Sequence, residues 1–102
     1  MRVKFIAGWI LFMAMPVSAH SLFMDCEQQE TDVKCLASFS DGSSVANMPY
    51  EVISYNDKLL YSGRTDEASI FKFALPQTDY FILLDAGPGH VVEVDMADVA
   101  AE

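Results

Sequence analysis

The chain has 102 residues, with 15 acidic against 6 basic, a formal net charge of −9 at pH 7 and 52% hydrophobic residues. That is material for one small domain whose core lies near the lower limit of self-sufficiency. The acidity excludes nucleic acid and anionic lipid as partners, since both carry the same sign of charge.

The first element is a leader. Met1-Arg2-Val3-Lys4 is a short basic region, Phe5 to Met15 is an apolar run, and Pro16-Val17-Ser18-Ala19 closes it. Val17 and Ala19 are small residues at the −3 and −1 positions that a signal peptidase reads. The run falls short of the roughly 20 apolar residues of a spanning helix, which weighs against an uncleaved anchor and leaves no membrane span after cleavage. We therefore expect a signal peptide over 1–19, a single domain over 20–102, and a periplasmic or secreted location. Cleavage after Ala19 makes His20 the first residue and removes Arg2 and Lys4. Lys34, Lys58, Arg64 and Lys72 then stand against all 15 acidic residues, a net charge of −11.

The rest of the chain reads as strands with regular turn punctuation and no sustained helical period. The first strand is expected over 21–27 and the second over 33–40, with Gln28 to Asp32 as the turn. In such a hairpin Cys26 and Cys35 face each other, at the spacing a disulfide accepts in a non-hydrogen-bonded pair. An exported chain meets an oxidising compartment, so a Cys26–Cys35 disulfide is the expectation; eight intervening residues do not suit a CxxC-type metal or redox pair. After the loop Asp41-Gly42-Ser43-Ser44, a third strand is expected over 50–55, with Tyr50, Val52 and Ser54 on one face. Asn56-Asp57 is a hairpin turn that tolerates positive φ. A fourth strand follows over 58–62, a loop over 63–68, and a fifth strand over 69–75 with Phe71, Phe73 and Leu75 on one face. The sixth, over 80–85, is an apolar run that suits a strand buried on both sides. The Gly87-Pro88-Gly89 turn leads to a seventh over 90–96, and the tail 97–102 is expected to fray. Seven short strands argue for an all-β, antiparallel β-sandwich, transthyretin-like or Ig-like; a small barrel or an open sheet are the alternatives.

The stretch from Ala37 to Pro76 carries a strand, a polar Gly loop at Asp41-Gly42, a Pro-led strand at Pro49-Tyr50, a Gly63-Arg64-Thr65-Asp66 turn and Phe71-Lys72-Phe73. It resembles the transthyretin-like or carboxypeptidase-regulatory-like sandwich. Ser69 departs from that pattern, which usually has Gly after the Thr-Asp turn. The resemblance implies a fold and no activity. Asp85-Ala86-Gly87-Pro88-Gly89-His90 is similar to a segment of small exported proteins that accompany nickel and cobalt uptake systems, which often begin the mature chain with Ala-His.

The residues supply a metal reading of their own. A free α-amino group beside the His20 imidazole chelates a transition metal far better than an internal histidine does. If the seven strands alternate up and down, chain entry, the loop holding Met48, the loop holding Asp66 and the turn before His90 share one pole. An amine, the imidazoles of His20 and His90 and the Asp85 carboxylate suit Cu(II), Ni(II) or Co(II), with Asp85 as ligand or as the group that orients the imidazole. The arrangement resembles the histidine brace of periplasmic copper carriers and lytic polysaccharide monooxygenases. The only Trp, Trp9, leaves with the leader. An aromatic substrate face is then missing, which favours binding over redox catalysis. The plainer readings are a terminal residue for His20, a surface residue for His90, and core filling for Met24, Met48 and Met96.

Enzymatic activity is not expected. Ser43, Ser44 and Ser69 lack a neighbouring His and a nucleophile elbow. Asp66-Glu67 and Glu93/Asp95 read as solvated charge, and the signature residues of ureide hydrolases are missing. The expected role is transition-metal binding or help to an uptake system, with a metal transporter or envelope protein as partner. The alternative is a metal-free interaction module of the envelope. It would work through an exposed edge strand or an apolar patch, with Lys58 and Lys72 guarding edges.

Overall fold

Alternation of apolar and polar residues decides which way each strand faces, and that decides the layers. The computed structural model describes residues 21–101, so the expected leader and His20 lie outside the described residues. The strands are β1 (Leu22–Gln29), β2 (Asp32–Phe39), β3 (Pro49–Ser54), β4 (Leu59–Arg64), β5 (Ile70–Ala74), β6 (Tyr80–Asp85) and β7 (Val91–Asp95). All seven expected strands are present; β1 and β4 each run two residues further than expected. β1-β2-β5 form a three-stranded sheet and β4-β3-β6-β7 a four-stranded one, every pairing antiparallel. The architecture is an all-β sandwich. The chain changes sheet between β2 and β3, between β4 and β5, and between β5 and β6. The fourth strand therefore pairs with the third, whereas in a constant-type immunoglobulin domain it joins the sheet of the first, second and fifth.

On β2, β3 and β5 the inward residues are those the alternation selects: Val33, Cys35 and Ala37, Tyr50 and Val52, and Phe71 and Phe73; on β6, an unbroken apolar run, Tyr80, Ile82 and Leu84 turn inward. The Tyr50 ring stacks on Phe71 at a centroid distance of 3.9 Å, and Tyr80 meets Phe73 edge-on at 6.1 Å. Fully burying one such side chain contributes about 1.5–3 kcal/mol.

Cys26 and Cys35 are paired in register and joined by a disulfide, with Cα atoms 4.0 Å apart and both side chains buried. The β1–β2 turn is tighter than expected. Pairing continues to Gln29 and Asp32, and only Glu30 and Thr31 lie between, Glu30 with φ 59°. Asn56-Asp57 turns as expected, with Asp57 at φ 64°, and the buried Ser54 hydroxyl accepts hydrogen bonds from the Asn56 and Lys58 N–H groups.

Two expectations need correction. β6 is buried on one face only. Phe81 and Leu83 are half-buried on the outer face of the four-stranded sheet, which no further layer covers among the described residues. Nor does the tail fray along its length. Met96–Asp98 forms a 3₁₀ turn, begun by the Asp95 carboxylate accepting from the Ala97 N–H. Ala100 then lies parallel to β1, donating to Cys26 C=O and accepting from Gln28 N–H, both at 2.9 Å. The outer edge of β1 offers those groups unpaired, and Val99 packs against the core beside them. Among the described residues no helix is long and apolar enough to cross a membrane.

Candidate functional site

The strand registers collect the start of β1, the end of β2, the start of β3, the end of β4, the start of β5 and the β6–β7 turn at one pole. This is the convergence that alternation of strand direction requires. The loops there are tied to one another through Thr65 and Ser69. The buried Thr65 hydroxyl donates to Val45 C=O and accepts from the Met48 N–H at 2.9 Å. The Ser69 hydroxyl accepts from the Val45 N–H at 2.8 Å. Val45 is thereby held fully buried as a plug between the sheets. Ser69 has φ +67°, so it occupies the left-handed conformation for which Gly is the usual residue, and its hydroxyl makes a bond that Gly cannot. Val45, Thr65 and Ser69 were not legible as a unit. Only the Thr-Asp turn signal marked their neighbourhood.

Chain entry is fixed at the same pole. Ser21 donates its N–H to the Ser40 hydroxyl at 3.0 Å and accepts the Ser40 N–H at 2.8 Å, and Leu22 pairs with Phe39. His90 closes the β6–β7 hairpin. Its C=O accepts from Ala86 N–H and its N–H donates to Gly87 C=O, both at 2.8 Å. Gly87 and Gly89 have φ of 111° and 79°, which leaves no room for an ordinary side chain's preferences in that turn. The half-buried His90 ring packs edge-on against Phe39 at a centroid distance of 5.5 Å. The histidine ring therefore touches the residue that pairs with Leu22, two positions from His20, which itself lies outside the described residues.

Asp85 is placed differently from His90. It pairs with Val91, is exposed, and lines a shallow groove on the outer face with Pro49, Glu51, Leu83 and Val91. His90, one residue before Val91, faces the opposite way, toward Phe39. One Asp85 oxygen accepts from the Gly87 N–H at 2.9 Å. Asp41 and Asp66 are used alike, one oxygen each accepting from backbone N–H groups, at Ser43 and at Ala68 and the first residue of β5, Ile70. The carboxylates of this pole shape turns. Among the described residues no group of three or more His, Cys, Asp or Glu converges as metal ligands. Met24 is buried and Met48 packs against the core as expected, but Met96 sits at the surface.

No protein-family model matches the chain, and neither a curated protein nor a solved structure does.

Proposed function

We propose that the exported chain begins at His20 and binds one Cu(II), Ni(II) or Co(II) ion at this pole, as a non-enzymatic periplasmic or secreted carrier or as an accessory of a metal transporter. The ligands would be the α-amino group and imidazole of His20 and the imidazole of His90; Asp85 serves the turn that presents His90. The observation that carries this reading is the contact between His90 and Phe39, beside the Ser21–Ser40 clamp to which His20 is joined. The buried disulfide is compatible with an extracytoplasmic compartment. Calorimetric titration of the mature protein with Cu(II) and Ni(II) tests it. Replacing His20 or His90 by Ala should each weaken binding by at least about tenfold, since even outer-shell partners of metal ligands cost 10–100-fold. Equal affinities in all three proteins would remove the reading, as would an exported chain that begins at any other residue.

One observation favours the alternative, a metal-free interaction module. The outer face of the four-stranded sheet leaves apolar side chains uncovered, and Tyr55 and Leu59 among them lie at the end of the molecule away from His90.

A further inference from the structure

β6 runs through the interior of the four-stranded sheet, yet among the described residues no further layer lies over its half-buried outward side chains Phe81 and Leu83, and the exposed Tyr55 ring rests against Phe81 at a centroid distance of 5.9 Å. Their neighbours alternate in a definite way. Leu83 is in register with Glu51 on β3 and with Glu93 on β7, so it sits between two carboxylates. Phe81 is in register with Ile53 on one side and Asp95 on the other. Beside them, a groove of about 220 Å³ places Asp85 and Glu51 around Leu83 and Val91, the last 59% exposed. β3, β6 and β7 carry no basic residue, and the one on β4, Arg64, stands at the sheet edge with its guanidinium donating to Asn47 C=O. The result is an apolar spine framed on both flanks by negative charge.

From this arrangement, and resting on the interaction reading above, we infer that the outer face of β3, β6 and β7 docks a cationic amphipathic polypeptide segment. Apolar side chains of the segment would cover Phe81 and Leu83, while Lys or Arg side chains lay their stems over Val91 and Leu83 and set their heads against Glu51, Asp85 and Glu93. A second copy of the chain fits badly, because stacking two such faces brings like carboxylates together. An anionic membrane is repelled for the same reason.

The test is a titration of the isotope-labelled, disulfide-bonded protein with a Leu/Lys amphipathic peptide of about 18 residues, some five helical turns, followed by amide shifts. Two control peptides carry Gln or Glu in place of Lys. The inference expects shifts concentrated at residues 51, 81–85 and 91–95, affinity that falls steeply with salt, and a loss of about tenfold or more in the Glu51→Lys/Glu93→Lys variant. Both substitutions are at exposed positions, so an unchanged amide spectrum elsewhere certifies the fold. If the Gln peptide binds the same face as tightly, the face is an interaction surface but the cationic partner is wrong. If no peptide shifts these residues, the interaction reading falls with the inference. Shifts scattered equally over Asp25, Asp32 and Asp57 mean general counter-ion attraction and overturn it. So does concentration-dependent dimerisation through this face.

Discussion

Gly63 lies opposite Tyr50 in the β3–β4 pairing, and a β-carbon there would stand 2.9 Å from the Tyr50 ring. The ring has no retreat, because Phe71 stacks against it at 3.9 Å. Gly63→Ala should therefore push an aromatic stack out of place and lower stability by about 1–3 kcal/mol, read as a shifted denaturant midpoint. An unchanged midpoint would mean that Tyr50 can move freely. Gly63 was legible as part of a turn motif; its role as a seat for a ring appears only when β3 and β4 are side by side. Ser69 is the converse case. Its departure from Gly stood out in the sequence, and the hydrogen bond to Val45 that explains it joins residues 24 positions apart.

At the level of elements, the tail matters most. β1 is an edge strand, and edges with unpaired backbone groups recruit other chains. Ala100 occupies part of that edge through its two hydrogen bonds, so truncation after Asp98 should expose Cys26 C=O and Gln28 N–H. The expected outcome is a lower thermal midpoint and faster aggregation on heating, measured by calorimetry and light scattering. Unchanged behaviour would make the tail an ornament. The opposite edge of that sheet, β5, carries Lys72 in mid-strand as expected of a guarded edge. Lys58 sits in the β3–β4 turn, just before β4 begins. The strands were readable because period-2 alternation is local. The tail was not, since its order depends on a partner more than 70 residues earlier in the chain.

For the molecule as a whole, the two sheets close over Tyr50 and Tyr80, and burial raises the pKa of both phenols above 10.0. The native state then holds protons that the unfolded chain sheds near pH 10. Stability from this source is complete below about pH 10 and is lost as pH rises toward the raised native values. Thermal midpoints measured from pH 8 to 11 should fall at the alkaline end, and fall less in the Tyr50→Phe/Tyr80→Phe protein. Equal slopes would assign the loss to other groups. Seven strands, the alternating faces of β2, β3 and β5 and the cysteine pair were determined by the sequence alone, because side-chain alternation and hairpin spacing act between near neighbours. The shared pole followed from strand direction once the strands were counted. Only the tertiary structure decided that His90 turns in toward Phe39 while Asp85 turns out beside Val91. It also decided that β6 shows one apolar face to solvent and that Thr65 and Ser69 lock Val45. The physical reason is the same each time: these outcomes depend on which sheet a strand joins and what lies across the gap, and no local pattern carries that information.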